Sequence, residues 1–512
     1  MVVLVADRTL SASYKVLFEG IFATMQTTKV PSLAMRRFVS PPARTDRCGR
    51  AVTAPLGLRR LEASLLAGGK LTADQVVVTT PERLPGLLGP HVKAVGVSSS
   101  DPLGCGMSNT TTSSFWGGRL YTAHWMERMM GLIRRAKERW GFAVVAGGAG
   151  AWQYLAHPEQ IEAHGIDVVF DGFCEAQAPR LFADLVEGRP VEPVVREAGT
   201  LADLVQPIRG ASLLGIAELS RGCGRGCGFC TSGSRRMEHL DVETILADLR
   251  TNVAAGVTNV VSGSEDLFRY GSSDGRVDFA RLHALLTAMR EVEGLSFMQI
   301  DHANIASVAQ LDDEQLREAR RLLSWRRATD YLWVNMGVES ANGHLVAANS
   351  SGKLAPYRPE DWEDLVLEVT DKTLRTGFYP VLSLVLGLPG ETLDDVVRTR
   401  RLVERLDQMG GVIFPVFHEP LDARRTGRFS LETMTDEHLD LYTACYEINF
   451  RRVPALFWDN QRAGGTSWAK RTAMQLLGKL EVRAWRKNFA RVRRAIRERS
   501  AAAEAQAGPD AA

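Results

Sequence analysis

The sequence comprises 512 residues, 45% of them hydrophobic and 24% charged, and its formal net charge is +2. This composition is typical of a soluble globular protein, and the nearly balanced charge indicates no particular class of partner. The length exceeds one ordinary hydrophobic core, so we expect two or three domains. No run of about 18 apolar residues occurs, which argues against a membrane span.

The chain opens on an apolar segment and contains clustered cysteines. The opening residues, MVVLVADRTL, include an acid and lack a basic segment before a cleavage site, so they predict a first strand and not a signal peptide. Seven cysteines are present, an odd number, and three of them are clustered. This pattern indicates metal chemistry in the reducing cytoplasm and not a disulfide framework.

Residues 1–190 alternate β-branched runs with amphipathic stretches. A long helical pattern over residues 125–141 separates the third run from the fourth. Alternating strands and helices predict a doubly wound, Rossmann-like α/β domain around a parallel sheet. The predicted strands are VVLVA (2–6), QVVVTT (75–80), AVGVSSS (94–100), AVVAGG (143–148) and DVVFDG (167–172).

A linker is predicted over residues 188–210, which contain prolines and few periodic apolar positions. Residues 211–421 then repeat the strand–helix alternation, and six β/α units with short loops predict an open, partial (β/α)6 barrel. The apolar face of residues 241–253 predicts a helix, and Thr392 followed by Asp395 indicates a helix N-cap. The predicted strands are 213–220, 259–263, 296–301, 331–339, 380–387 and 412–417.

Residues 422–512 show no clear strand pattern and predict a helical C-terminal region. The stretch 479–500 is basic and amphipathic, with apolar residues at helical spacing. We expect this helix to dock on the protein body with its charges in solvent. Binding of RNA or of an anionic membrane surface is the alternative. The alanine-rich tail, 501–512, is expected to be disordered.

The strongest chemical motif is RGCGRGCGFC, residues 221–230, directly after the first barrel strand. It places Cys223, Cys227 and Cys230 at C-x3-C-x2-C spacing, and thiolates bind iron tightly because both partners are soft. A four-iron cluster normally takes four thiolates, so three of them can leave one iron open for a ligand. A zinc site is the alternative, although such sites usually need a second pair of ligands, which is missing nearby.

This spacing, with the aromatic Phe229 before the last cysteine, resembles the radical S-adenosylmethionine (SAM) superfamily, and the resemblance extends over residues 212–417. It implies a 4Fe–4S cluster on the three cysteines, with SAM bound to the open iron through its amino and carboxylate groups. It also implies that one electron cleaves SAM and that the resulting 5′-deoxyadenosyl radical abstracts hydrogen from an unactivated C–H bond. An electron donor such as flavodoxin or ferredoxin is then needed.

Three more segments that resemble the superfamily follow successive strands, where barrel sites are built. SGSED (262–266) is similar to its Gly-Gly-Glu element, which implies that Glu265 holds the SAM amino group. GVESANG (337–343) resembles the segment near the SAM ribose and carboxylate, and LVLGLPGET (384–392) resembles the turn that packs the adenine. The SAM-binding residues implied in this way are Phe229, Gly263, Ser264, Glu265, Gly337, Glu339, Ser340, Leu386 and Gly387.

A Rossmann-like domain ahead of such a barrel resembles the cobalamin-dependent class of radical SAM enzymes. Small residues after the third and fourth strands leave room for a flat cofactor at the sheet edge. The resemblance implies cobalamin bound by Ser98, Ser99, Ser100, Gly147 and Gly148. The sequence lacks the Asp-x-His-x-x-Gly motif of many cobalamin proteins, so no lower cobalt ligand is assigned. A purely structural α/β domain is the alternative.

Four other polar residues fall at barrel strand ends or beside Glu265. His302, His418, Arg269 and Tyr270 are candidate substrate contacts. Residues of these types more often serve as hydrogen-bonded parts of the framework. Both interpretations stay open from the sequence.

These features together predict a cobalamin-dependent radical SAM methyltransferase. In that class, methylcobalamin delivers a methyl group to an unactivated carbon, and SAM serves as radical source and as methyl donor. The alternatives are a cobalamin-dependent cyclase or rearrangement enzyme, an RNA-modifying radical SAM enzyme and a non-enzymatic iron–sulfur protein. We expect a small-molecule or peptide substrate, and the balanced charge argues against a nucleic acid.

Overall fold

The computed structural model describes residues 1–324, 332–421 and 427–507, with side chains described as far as residue 502. It has an α/β architecture in which a doubly wound domain is followed by a partial barrel and a helical C-terminal region. None of the helices in this part of the chain combines the length and the apolar character that crossing a membrane requires.

The first sheet is parallel throughout, with the strand order β2-β1-β3-β4-β5-β6. Its strands are β1 Val2–Ala6, β2 Val76–Thr79, β3 Ala94–Ser98, β4 Ala143–Gly147, β5 Val168–Asp171 and β6 Val194–Arg196. Its larger helices are α1 Leu56–Ala67, α2 Met107–Trp116, α3 Tyr121–Trp140 and α4 Ala178–Val186. Helices α1 and α4 cover one face and α3 covers the other, so the central strands are buried on both sides. The predicted Rossmann-like domain is confirmed.

The barrel contains parallel strands in two adjoining sheets, β7-β8-β9 and β10-β11-β12-β13. The strands are β7 Ile216–Glu218, β8 Asn259–Gly263, β9 Phe297–Gln299, β10 His302–Ala303, β11 Leu332–Glu339, β12 Phe378–Leu386 and β13 Val412–Phe417. Strand β9 lies within the strand predicted over 296–301, and β10 begins just after that range and continues the same strand position in the second sheet. Six strand positions therefore follow one another, and the predicted partial barrel is confirmed.

Six helices of the barrel alternate with these strands. They are α5 Val242–Ala254, α6 Phe279–Glu291, α7 Asp313–Leu323, α8 Gly343–Asn349, α9 Trp362–Arg375 and α10 Leu393–Met409. Thr392 caps α10 as predicted, because its hydroxyl accepts from the Asp395 N–H while the Asp395 carboxylate accepts from the Thr392 N–H. Asp241 caps α5 in the same way through the Thr244 N–H.

Several elements differ from the sequence prediction. Strand β6 lies inside the predicted linker, where three exposed or half-buried residues give little hydrophobic signal. The first barrel strand is shorter than predicted, because residues 213–215 form a 3₁₀ turn with Leu214 at a φ of 58°. Tyr331 of the predicted fourth strand lies outside the described residues. The shorter helices are Arg8–Ser11, Leu17–Thr24, Ser32–Ala34, Met35–Val39, Leu84–Leu87, Ala151–Ala156, Glu159–His164 and Ile305–Ala309.

The C-terminal region consists of α11 Asp436–Ala463 and α12 Trp468–Ala507. Trp485 and Phe489 of α12 are buried, and each ring lies within 5.6 Å of the Phe115 ring of α2. The predicted docking of this helix on the protein body is confirmed. Its basic side chains pair with acids of α11, as in the 2.7 Å contact of Arg486 with Glu447. Helix α12 continues into the tail that was expected to be disordered, and residues 508–512 lie outside the described chain.

Glu481, in the docked part of α12, is expected to make the stability of the protein dependent on pH. Burial raises its pKa from 4.5 to about 7, although hydrogen bonds with Trp485 and Gln26 oppose the shift. The folded-state pKa lies above the unfolded one, so the cost of the buried charge grows as the pH rises through this interval. We expect Glu481→Gln to raise Tm clearly at about pH 8 and much less at about pH 5. Thermal unfolding at both pH values measures this, and an equal gain at both would contradict it.

Candidate functional site

The loop after β7 carries the three clustered cysteines and is tightly folded. The Gly226 N–H donates to the Gly233 carbonyl at 2.8 Å. Gly222, Gly224 and Gly226 have φ values of +72°, +65° and +69°, in the left-handed region that favours glycine. A Cβ on Gly222 would lie 2.5 Å from the carbonyl oxygen of Arg236. Side chains at these positions would therefore open the loop.

The three cysteines are half-buried and lie close enough to influence one another. Burial, helped by the charges of Cys230, Cys227 and Glu265, raises the pKa of Cys223 to about 11 against the opposing effect of a backbone hydrogen bond. Burial also raises the pKa of Cys230. Among the described residues, no three His, Cys, Asp or Glu side chains converge on a single metal ion.

Glu265 reaches the cysteine loop because the end of β8 lies very close to the first barrel strand. A Cβ on Gly263 would lie 3.1 Å from the Cα of Glu218, so the backbones approach where a glycine stands. Ser264, which replaces the second glycine of the motif, has its hydroxyl oxygen 2.6 Å from that of Ser220. Glu265 itself is exposed. The serine is thus accommodated without moving the glutamate away.

The segment after β11 places a buried ion pair beside the cysteines. Glu339 has a φ of 63° and accepts a hydrogen bond from the Lys353 ammonium. Burial lowers the pKa of Lys353, but Glu339 and the charges of Cys227 and Cys223 outweigh that effect, and the pKa is raised. A Cβ on Gly337 would lie 2.5 Å from the Lys353 Nζ. Gly337 therefore leaves the space that the ammonium occupies.

Ser340 lies at the junction between strand β11 and helix α10. It is buried, and its hydroxyl oxygen is 3.2 Å from that of Thr399 in α10. Its side chain therefore contributes to packing between the barrel strand and a helix. Of the residues implied by this segment, Glu339 and Gly337 both contact the space occupied by Lys353.

The turn after β12 forms an apolar surface beside Phe229. Phe229 packs with Leu345, Val385 and Leu388. The Gly387 N–H donates to the Glu391 carboxylate at 2.7 Å, which closes the turn. Leu386 is buried within the large core of the barrel. The two predicted residues therefore shape the turn, while Phe229 provides its apolar lining.

The polar candidates at the strand ends divide into two kinds. His302 is exposed, and its Nδ1 lies 3.2 Å from Asp301 Oδ1. The Asp301 carboxylate raises the pKa of His302 to about 9, so the imidazole is charged at neutral pH. By contrast, Arg269 and Tyr270 donate to backbone carbonyls, and His418 Nδ1 lies 3.1 Å from another. These three belong to the framework.

The predicted cofactor-binding residues of the first sheet fall into two groups, those that line a cavity and those that do not. Ser98, Gly147 and Gly148 line a cavity at the carboxyl edge of the sheet. Ser99 is buried and donates to a carboxylate next to β1 at 2.8 Å, and Ser100 is exposed outside the lining. Neither Ser99 nor Ser100 lines that cavity, because Ser99 points to the opposite side from Ser98 and Ser100 follows after the strand has ended.

The cavity joins the two halves of the molecule. It measures about 420 Å³ and is bounded on one side by the ends of β3, β4 and β5. The cysteine loop and the end of β8, including Glu265, bound it on the other side. Trp152, Phe170 and Phe182 give it apolar walls, and no histidine stands in the part of its lining that the structure describes.

Buried arginines connect the two sides of this cavity. Arg221, two residues before Cys223, contacts Glu175 of the first domain and Glu218 of β7, both at 2.8 Å. The Arg221 and Glu175 side chains are each only 2% exposed. Arg60 of α1 contacts Glu218 at 2.9 Å and Asp248 of α5 at 2.5 Å. The cysteine loop is thus held against the first domain by paired charges.

A parallel barrel with three cysteines in its first loop and a glutamate at its second strand end defines the radical SAM class of protein. Residues 217–403 match the family model described as Radical SAM superfamily. Residues 217–403 therefore form a radical SAM domain, and the cofactors of that class are a 4Fe–4S cluster and SAM.

Two curated relatives share part of the sequence. Ribosomal protein uS12 methylthiotransferase RimO of Trichlorobacter lovleyi is 22% identical over 271 residues, which cover 51% of this chain and 56% of the relative. The tRNA-2-methylthio-N(6)-dimethylallyladenosine synthase of Syntrophomonas wolfei is 24% identical over 283 residues, covering 54% and 59%. The chain spans little more than half the length of these relatives.

A solved structure extends the similarity to the first domain. The radical S-adenosylmethionine methyltransferase TsrM from Kitasatospora setae covers 81% of this chain, and 72% of TsrM is covered in return. The TM-score is 0.52 and the sequence identity is 16%. One TsrM structure is described with cobalamin and a [4Fe-4S] cluster bound. The likeness to this chain is one of fold.

Sequence reasoning missed Lys353, Arg221 and Glu175 as parts of the site. Lys353 lies 14 residues from Glu339, and Arg221 lies 46 residues from Glu175. No short sequence motif predicts such ion pairs, because each pair forms only when separate strand ends meet in the folded protein. The only indication in the sequence was Arg221, the basic first residue of the cysteine motif.

Proposed function

We propose that this chain is a cobalamin-dependent radical SAM methyltransferase that acts on an unactivated carbon. The observation that carries the proposal is the single cavity shared by the sheet edge and the cysteine loop. A ligand bound on the sheet edge would face the cysteine loop directly. The similarity of fold to TsrM over both domains supports the same conclusion.

The residues around the loop fit an iron–sulfur cluster with SAM. We assign Cys223, Cys227 and Cys230 as the iron ligands, since three thiols in a glycine-rich loop leave one iron open. Glu265 is assigned to the SAM amino group, because its carboxylate is exposed to the cavity next to the cysteines. Phe229 is assigned to the apolar side of the adenine.

We assign the part of this cavity beside the sheet edge to a flat cofactor. We assign Ser98, Gly147 and Gly148 as the residues over which a corrinoid would lie, since their small side chains leave the sheet edge open. When bound, a corrinoid supplies methyl-transfer chemistry and the cluster supplies the electron that cleaves SAM.

The chain's own residues would position the reactants and exclude water. The apolar walls of the cavity keep solvent from a reactive radical. The charged imidazole of His302, fixed by Asp301, can donate a hydrogen bond to an anionic or carbonyl group of the substrate. The Lys353–Glu339 pair places a positive charge beside the cysteines without adding net charge.

The test is a labelled-methyl assay on anaerobically reconstituted enzyme with reductant and cobalamin. We expect label from SAM in the substrate, together with S-adenosylhomocysteine and 5′-deoxyadenosine. Glu265→Gln is expected to raise the KM for SAM, because a neutral amide holds an ammonium group less strongly. Label confined to unreacted SAM, with corrinoid bound, would reject methyl transfer and leave the cyclase or rearrangement alternative.

A methylthiotransferase is the second candidate, favoured by the curated relatives described above. Mass spectrometry of the product distinguishes the two, because a methylthio group adds sulfur and a methyl group does not. The RNA-modifying alternative predicts RNA that copurifies with the protein and no corrinoid absorbance. Either result would replace the leading proposal.

A further inference from the structure

A second cavity lies on the other face of the first sheet, against α3. It measures about 610 Å³ and shares no lining residue with the cavity above the cysteines. Residues from the loops after β1 and β2 complete its walls. The proposed function leaves this cavity without a role.

Arginines dominate the charge of this cavity. Arg8, Arg36, Arg128 and Arg135 line it, with only two carboxylates, Glu82 and Glu127. Glu82 pairs with Arg8, whereas Glu127 pairs with Arg119, which lies outside the lining. In the described part of the chain, Arg36, Arg128 and Arg135 have no carboxylate within ion-pairing distance. The lining therefore carries an excess of two positive charges.

Arg8 lies deepest among these cations. Its side chain is 8% exposed, and its Nε donates to the Ser40 carbonyl at 3.2 Å. Burial lowers the pKa of Arg8 and the charge of Arg36 adds to this, so the single partner Glu82 compensates its charge only in part. A buried cation of this kind gains from a further negative group nearby.

Trp125 supplies an apolar surface to the same cavity. The Arg8 guanidinium lies 5.4 Å from the centre of its ring. Its indole N–H is buried and has no hydrogen-bond partner among the described residues. Because that N–H is out of solvent contact, the face of the indole ring, and not its donor, forms the cavity wall. Leu84, Met129 and Leu132 extend the apolar lining.

We propose that this cavity binds a phosphate monoester that carries an apolar group. A doubly charged phosphate matches the excess of two positive charges, and arginine forks match phosphate oxygens in geometry. The apolar group would rest on Trp125 and its neighbours. The site is separate from the cysteine cavity, so the proposal does not depend on the function proposed above.

Isothermal titration with phenyl phosphate tests the proposal on the full-length protein. We expect saturable binding that Arg36→Ala and Arg135→Ala each weaken by about 2–5-fold, since both side chains are exposed and solvent screens their charges. Arg134→Ala is the matched control, because Arg134 neighbours Arg135 on α3 but is absent from the lining. It should bind like the parent protein.

The indole N–H signal of Trp125, identified by its loss in Trp125→Phe, provides a second measurement. Phenyl phosphate should shift that signal, and phenol at the same concentration should not. Inorganic phosphate should bind more weakly than the ester. No saturable binding, an equal loss in Arg134→Ala, or an unmoved Trp125 signal would each overturn the proposal, and equal binding of inorganic phosphate would overturn the apolar part.

Discussion

Replacing any one of Cys223, Cys227 or Cys230 by alanine is expected to abolish SAM cleavage. Two thiolates from this loop cannot hold the cluster in the same place, and cleavage depends on the electron that the cluster delivers. The measurements are iron and sulfide content after anaerobic reconstitution, visible absorbance, and 5′-deoxyadenosine formed from SAM. We expect each variant to lose product formation to below detection and to lose most of the cluster absorbance.

Cys48→Ala is the control for these variants, because Cys48 is exposed and lies outside the loop. It should retain both the cluster and the activity of the parent protein. Circular dichroism establishes whether each loop variant still folds. A folded loop variant that forms 5′-deoxyadenosine at the parent rate would reject the assignment of these cysteines, and the proposed function with it.

Arg221→Met is expected to destabilise the protein by about 3–5 kcal/mol, the usual cost of breaking a buried ion pair from one side. Arg221 is held by Glu175 and Glu218, and its loss leaves the Glu175 carboxylate buried without its cation. Burial alone would lower the pKa of Arg221, but the two carboxylates outweigh that effect and raise it. The Arg221 charge and the two carboxylates therefore stabilise one another strongly. Urea unfolding of the protein without cofactors measures the change.

Arg119→Met provides the comparison, since its pairing with Glu127 is exposed at the surface. Removing a pair of that kind costs about 0–1 kcal/mol. A second variant, Arg221→Lys, keeps the charge but loses the planar guanidinium that contacts both carboxylates. We expect its free energy of unfolding to lie between those of the parent protein and Arg221→Met. Equal stabilities for Arg221→Met and Arg119→Met would show that the buried pair contributes little to holding the cysteine loop against the first domain.

The amino-acid sequence by itself determined the order of the secondary structure and the chemistry of the barrel. Short β-branched runs predicted ten of the strands closely, because strands buried on both faces need continuous apolar residues. The cysteine motif and the N-cap at Thr392 were equally visible, since each depends on residues within one turn or loop. Interactions between residues close together in the chain can therefore be recognised from the sequence.

Other features were decided only by the tertiary structure. Ser99 and Ser98 are adjacent in sequence, yet one bonds a buried carboxylate and the other lines the cavity, because neighbouring side chains leave a strand on opposite sides. Lys353 reaches Glu339, and Arg221 reaches Glu175, only when distant strand ends meet. Charged groups far apart in the chain carry no shared pattern in sequence, and their pairing depends on how the sheets and loops pack.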